Sequence, residues 1–221
     1  GRMNVYEIEQ LRCPYCNQKE EWDGSLEFRG TNLELELMDG VLVCGSCCVA
    51  WGVQDGWVRL TREDRSPFSN KLRRGLASNA PKFHDVGLKL AGLSPCRYIQ
   101  SVVQASKLDE LGGADSPVKI LEIGVGSGCN LPSLYEAAPA GAQIWGVDMS
   151  MGLLERCRRK VQNEPELAAT RLLMADPHKM PFEARSFDRV LFVGELSEFR
   201  EPEQVRSEML RVVKADGLVY P

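Results

Sequence analysis

The sequence lacks any apolar run close to the roughly 20 residues that a membrane-spanning helix needs. It also lacks a recognisable signal peptide. Neither sign of charge is in large excess, because the formal net charge is only −4 over 221 residues. Composition therefore gives no general case for a nucleic-acid or membrane surface. These absences, with a hydrophobic content of 43%, predict an ordinary globular protein of the cytoplasm.

One kind of glycine fingerprint is missing as well. The apolar run Val118–Ile123 has the length of a strand, and it leads into Gly124, Gly126 and Gly128 before a helix-like segment. A dinucleotide-binding loop has glycines at the first, third and sixth positions, whereas the sixth position here is Cys129. A strand, glycine-rich turn and helix still bring backbone N–H groups close to a ligand. The spacing therefore indicates a cofactor other than a dinucleotide.

Three later apolar runs of strand length follow this loop. The runs 142–148 and 171–176 each end in an acidic residue, and the run 189–193 follows Ser186-Phe187-Asp188. Because these runs alternate with helical segments, they predict a doubly wound parallel sheet with right-handed crossovers. The predicted helices are 130–138, 150–163 and 202–213.

Three motifs in this order carry a family resemblance. They are E-x-G-x-G-x-G at 122–128, V-D-M-S at 147–150 and A-D-P-H-K-M-P-F-x-x-x-S-F-D at 175–188. Residues 117–214 thereby resemble the class I S-adenosylmethionine-dependent methyltransferases, most closely the type 11 branch that contains the ubiquinone/menaquinone-biosynthesis enzymes. The resemblance implies an α/β, Rossmann-like fold and S-adenosylmethionine as the cofactor.

By this resemblance, the first two strand ends hold the methionyl and ribosyl parts of the cofactor. Gly124, Gly126 and Gly128 would let the backbone approach the methionyl part. Glu122 would orient the loop or the ammonium group of the ligand. Asp148 would accept hydrogen bonds from both ribose hydroxyls, although it could instead cap the following helix.

The later strand ends would hold the adenine and face the methyl group. Met149 would pack on the adenine, and Asp176, with Pro177 beside it, would accept a hydrogen bond from the adenine amino group. Val193, at the end of the fourth strand, would face the transferring methyl group. We expect His178 to be a surface loop residue.

Two further residues are catalytic candidates. Glu195 lies at a strand end where an acceptor would bind, although a solvated carboxylate is an equal alternative. His84 lies in the helices that form a lid in the resembled family, and it could act as a base or be an ordinary helix residue. Methyl transfer requires collinear donor and acceptor, and orientation supplies roughly 7–11 kcal/mol without a catalytic triad.

Four of the eight cysteines form two C-x-x-C pairs, Cys13–Cys16 and Cys44–Cys47. This pattern is typical of a zinc ribbon with four thiolate ligands, with a redox pair as the alternative. The segment is similar to the small zinc-ribbon domain that partners or activates several methyltransferases, and Asp55-Gly56 would form its hairpin turn. Cys48 adjoins Cys47, but the regular spacing favours Cys47 as the ligand.

These features divide the chain into three parts. Residues 1–62 are predicted to form the zinc-ribbon-like domain, 63–114 a linker and helical lid, and 115–221 the cofactor-binding domain. A fifth strand starts near residue 217, where the resembled family continues with a helix and an antiparallel strand pair. We therefore expect truncated C-terminal strands, an open sheet edge and a possible homodimer through that edge.

The preferred function is methyl transfer to a small-molecule acceptor. One alternative is an RNA or protein methyltransferase that docks its substrate with the zinc ribbon. Another is methylation of a thiophilic species such as arsenite by the unassigned cysteines Cys48, Cys96, Cys129 and Cys157. The last is a non-catalytic cofactor-binding or interaction protein.

Overall fold

A computed structural model of the chain describes residues 3–61, 100–111 and 117–220, apart from residues 18, 20, 101 and 195. The catalytic candidates His84 and Glu195 lie outside the described residues, as does Cys96. The domain boundaries expected at 62 and 114 fall there too, so they stay predictions.

The N-terminal segment forms an antiparallel meander. A short 3-10 helix, Val5–Gln10, comes first, and its capping box joins Asn4 and Glu7. Asp55 and Gly56 both have positive φ, 47° and 75°, which confirms the expected tight hairpin turn. The strands are β1 (Leu26–Leu33), β2 (Glu36–Cys44), β3 (Ala50–Gln54) and β4 (Trp57–Leu60).

The C-terminal segment alternates strands with helices, as the sequence predicts. Its strands β5–β9 are parallel to one another in the spatial order β7-β6-β5-β8-β9, which is a Rossmann-like arrangement. The strands are β5 (Lys119–Ile123), β6 (Gln143–Asp148), β7 (Arg171–Ala175), β8 (Phe187–Phe192) and β9 (Val213–Tyr220). The helices are α1 (Leu131–Ala137), α2 (Met151–Asn163) and α3 (Pro202–Val212).

The two segments share one sheet. Strand β4 pairs in parallel with β7, with Arg59 opposite Met174 and Leu60 opposite Ala175. In the described part of the chain this gives a nine-stranded sheet with β1 at one edge and β9 at the other. The antiparallel meander therefore covers the β7 edge of the parallel sheet.

The hydrophobic core lies on both faces of this sheet. On one face, the buried cysteines Cys13, Cys16 and Cys44 pack in the same cluster as Trp145 and Phe182 of the C-terminal segment. On the other face, α1 and α2 bury residues such as Leu134, Leu154 and Cys157. The cysteine-bearing segment is thus packed on the C-terminal segment rather than tethered beside it.

The fifth parallel strand is longer than its sequence suggests. It begins at Val213, directly after α3, and its residues 218–220 pair with residues 189–191 of β8. The edge expected to be open is therefore the outer side of β9. Among the described residues, no helix is long and apolar enough to cross a membrane.

Candidate cofactor site and metal centre

The loop after β5 is built from three glycines with left-handed backbone. Gly124, Gly126 and Gly128 have φ values of 71°, 55° and 78°. The N–H groups of Gly124 and Val125 donate to the carbonyl oxygen of Val147, at 2.8 and 3.1 Å. These bonds fold the loop over the carboxyl end of β6, where a parallel sheet binds its ligands.

Asp148 ends β6 and lies against the glycine loop. Its Oδ2 accepts a hydrogen bond from the Gly126 N–H at 3.0 Å, and its Oδ1 accepts one from the Ser150 N–H at 2.7 Å. The N-cap of α2 is Ser150, whose side chain accepts from the Leu153 N–H. Asp148 is therefore not the cap of this helix. Both carboxylate oxygens of Asp148 therefore bind backbone N–H groups at the carboxyl edge of the sheet.

Glu122 is fully buried beneath the loop. Its Oε1 accepts a hydrogen bond from Asn130 Nδ2 at 2.6 Å, whereas its Oε2 has no partner among the described residues. Burial, with a smaller contribution from the charge of Asp148, raises the pKa of Glu122 to about 7, although the hydrogen bond from Asn130 lowers it. A buried carboxylate oxygen without a partner is suited to a cationic ligand group such as an ammonium.

Asp176 follows β7 and pairs with His178. The backbone N–H and the Nδ1 of His178 lie 2.9 and 2.7 Å from Oδ1 of Asp176. No hydrogen bond to Oδ2 is found in the described part of the chain, so this oxygen can face a ligand. Burial would raise the pKa of Asp176, but the two hydrogen bonds from His178, together with the charges of His178 and Lys179, outweigh it, and the pKa lies below its ordinary value.

The expectation that His178 is a surface residue is wrong. The side chain is buried with only 8% of its surface exposed, and its ring meets that of Phe199 edge-on at 5.9 Å between centroids. The structural reason is the pairing with Asp176, which turns the imidazole inward. An Asp-Pro-His sequence after a strand was the available signal for this pairing.

The remaining candidates lie at the same edge of the sheet. Met149 directly follows Asp148 and is half-buried, and Pro177 is buried beside Asp176. Val193 directly follows β8 and packs against the core that contains α1 and α2. The structure thus places all described cofactor-site candidates in or directly after β5, β6, β7 and β8.

The four cysteines of the two C-x-x-C pairs come together. Their sulfur atoms all lie within 4.8 Å of one another, with Cys13–Cys47 at 3.7 Å and Cys16–Cys44 at 3.6 Å. Tetrahedral zinc with bonds of about 2.3 Å places its sulfur ligands about 3.8 Å apart. The donor set and its spacing therefore fit zinc, and Cys48 is exposed rather than part of the cluster.

The other described cysteines do not form a second cluster. Cys129 is exposed with its sulfur 3.2 Å from Ser127 Oγ, and Cys157 is buried in α2. Among the described residues, the four cysteines of the two C-x-x-C pairs are the one group of potential metal ligands that comes together. Each C-x-x-C turn is called a knuckle below. A thiol site for a thiophilic acceptor therefore gains no support from the described part of the chain.

Comparison with known proteins finds similarities in the C-terminal half. Residues 121–220 match the family model described as a methyltransferase domain. The phosphatidylethanolamine N-methyltransferase of Cereibacter sphaeroides is 37% identical over 101 residues, which are 46% of this chain and 48% of that protein. A ubiquinone/menaquinone biosynthesis C-methyltransferase of Geotalea uraniireducens is 31% identical over 99 residues, 45% of this chain and 42% of that protein.

One solved structure agrees with the fold over a larger part of the chain. It is a candidate S-adenosyl-L-methionine-dependent methyltransferase from Methanococcus maripaludis, with a TM-score of 0.51 and 15% identity over 72% of this chain and 65% of that one. The chain spans about half the length of the curated relatives it matches. Residues 121–220 are thus similar in sequence to a methyltransferase domain and to methyltransferases, and the solved structure agrees with the Rossmann-like fold.

Proposed function

We propose that the protein transfers a methyl group from S-adenosylmethionine to a small-molecule acceptor, and that a structural zinc ion holds its N-terminal knuckles. The observation that carries the proposal is the hydrogen bond of 3.0 Å from the Gly126 N–H to Asp148 Oδ2. It places a glycine loop and an acidic strand end together at the carboxyl edge of a parallel sheet. This is where a nucleoside and its charged tail can be bound together.

Each described candidate then has a role that its position supports. Glu122, with its unpaired buried oxygen, would pair with the ammonium group. Asp148 would accept from the ribose hydroxyls, and Met149 would contact the adenine. Asp176 would accept from the adenine amino group through Oδ2, because His178 occupies Oδ1.

When bound, S-adenosylmethionine would supply the methyl group from its sulfonium, and the protein would position it. The backbone around Gly124 would hold the methionyl part, and Val193 would line the region of the methyl group. Orientation of this kind lowers the barrier without a covalent intermediate. Glu195 and His84 remain proposed partners of the acceptor.

The acceptor is proposed to be a small molecule on two grounds. By their names, one relative given above methylates phosphatidylethanolamine and the other is a C-methyltransferase of ubiquinone/menaquinone biosynthesis. The cysteine-bearing segment 1–60 also contains more Asp and Glu than Lys and Arg, which disfavours docking of RNA through it. A cytoplasmic location and a homodimer through the outer side of β9 remain predictions.

Formation of S-adenosylhomocysteine tests this proposal. The zinc-loaded protein is incubated with S-adenosylmethionine and, separately, with a panel of quinols and amino alcohols, with total RNA and with a protein extract. We expect product only with members of the small-molecule panel. The Asp148→Ala protein, prepared identically, corrects for contaminating activity. Methylation found only in the RNA or the protein fraction would contradict the small-molecule acceptor.

A further inference from the structure

The loop of residues 176–182, which follows β7, is held by Asn17, the residue directly after the first knuckle (Cys13–Cys16). Asn17 Nδ2 donates to the carbonyl oxygen of Met180 at 3.0 Å and to that of Phe182 at 2.7 Å. The carbonyl between them, that of Pro181, accepts from the backbone N–H of Arg12 at 2.9 Å. Three successive carbonyl groups of the 176–182 loop are thus bound by residues next to Cys13 and Cys16.

The other side of the same loop is bound by α3. Arg211 donates to the carbonyl oxygens of Met180 and Phe182 at 2.9 and 2.7 Å, so each of these carbonyls accepts from both Arg211 and Asn17. Glu208 accepts from the Met180 N–H at 2.7 Å and pairs with Arg211. The loop is therefore fixed between two elements, and Asn17 supplies one of the two sides.

The position of Asn17 depends on the knuckle. Its backbone N–H donates to the carbonyl oxygen of Cys13 at 2.9 Å, and the N–H of Cys16 donates to the same oxygen at 3.0 Å. A turn of this kind in a small segment is commonly ordered by its metal, because the binding free energy of the metal contributes to folding. Loss of the metal would therefore release Asn17 from the carbonyls that it binds.

We propose that Asn17 is a positioning residue that couples the metal centre to recognition of the adenine amino group. Asn17 fixes one end of the loop through the carbonyls of Met180 and Phe182. Within the loop, the Lys179 N–H donates to the Asp176 carbonyl oxygen at 3.0 Å, so the position of Asp176 depends on the position of the rest of the loop. Metal binding then strengthens cofactor binding, and cofactor binding strengthens metal binding by the same factor. This inference rests on the proposed function, which gives Asp176 its ligand.

Calorimetric titration with two ligands tests the inference. The probes are S-adenosylhomocysteine and S-inosylhomocysteine, which lacks the amino group that Asp176 would bind. In the zinc-loaded full chain, Asn17→Ala should weaken binding of the adenosyl ligand by about tenfold, as for a lost pair of hydrogen bonds. Binding of the inosyl ligand should change by less than about twofold, because it does not use Asp176 in this way.

The matched control is Asp55→Asn. Asp55 pairs with Arg158 at 3.2 Å, a second contact between the meander and the C-terminal half that does not involve the loop. Asparagine keeps the turn with Gly56, because Asn-Gly suits the same turn type. We expect this variant to bind both ligands as the wild type does.

A second measurement uses only the wild-type protein. Saturating S-adenosylhomocysteine should lower the zinc dissociation constant, measured by chelator competition, by about the same tenfold factor, whereas S-inosylhomocysteine should leave it within about twofold. An unchanged zinc affinity would overturn the coupling even if Asn17→Ala does not fold. Equal affinity of Asn17→Ala and wild type, or equal loss for both ligands, would overturn the inference and leave the proposed function standing. A wild type that binds neither ligand would instead overturn the proposed function.

Discussion

A Cβ atom at Gly128 would lie 2.7 Å from the Sγ of Cys157 and 3.1 Å from Cδ1 of Leu131. The glycine loop is therefore packed directly on α2, and its third glycine is required both by this contact and by a φ of 78°. The loop that would bind the cofactor is thus shaped from below by a buried thiol.

The first prediction concerns this contact. Gly128→Ala should lower the free energy of unfolding by about 2–4 kcal/mol, because it combines overpacking with a left-handed backbone. Urea denaturation measures the change. Replacing Cys157 by Ala as well should recover part of the loss, because the two sites are in contact.

Gly152, in α2, provides the control for that substitution. Nothing lies within 4 Å of a Cβ added there, so Gly152→Ala should stabilise the protein by about 0.5–1 kcal/mol through helix propensity. Equal effects of the two substitutions would show that the packing of Gly128 on Cys157 has been misjudged.

The sequence predicts the parallel sheet well and the N-terminal connection poorly. Local patterns placed β5, β6 and β7 within one or two residues, and the spacing of cysteines identified the four that cluster. Pairing of β4 with β7 joins residues more than a hundred positions apart, and no local pattern encodes such a partner. The alternation of buried side chains in Trp57–Leu60 is compatible with pairing to the edge strand of many different sheets.

The contacts around the site were missed for a similar reason. Asn130, His178 and Asn17 are polar residues whose roles depend on what lies opposite them in space. Asn130 donates to a buried glutamate eight positions earlier, whereas Asn17 reaches carbonyl groups in a loop 163 to 165 positions later. Their residue types are compatible with ordinary loops, so only the fold distinguishes them.

The second prediction is a dependence of stability on pH through Glu122. Burial raises the pKa of its carboxyl from 4.5 to about 7, so the folded protein binds this proton more tightly than the unfolded chain does. The contribution of Glu122 to stability should therefore fall as pH rises from about 4.5 to 7 and then level off.

Denaturation of the wild type and of Glu122→Gln at a series of pH values measures this effect. The difference in free energy of unfolding, wild type minus variant, should decrease across that range because glutamine does not titrate. A difference that stays constant with pH would mean that burial does not raise the pKa of Glu122 above its value in the unfolded chain.

The third prediction concerns the metal centre. The Cys13→Ser, Cys44→Ser protein should lose its metal and melt at a lower temperature, because the knuckles pack into the same core as Trp145 and Phe182. Metal analysis should give one equivalent of zinc for the wild type. Cys48→Ser should retain both the metal and the melting temperature, since Cys48 is exposed. A double variant with unchanged metal content would remove the zinc assignment.

The most direct measurement for the whole account is calorimetric titration of the wild type and Asp148→Ala with S-adenosylhomocysteine. We predict micromolar binding to the wild type and a loss of several-fold to about a hundredfold in the variant, because the substitution removes the carboxylate that would bind the ribose hydroxyls. Equal affinity of the two proteins, or no binding to the wild type, would contradict it.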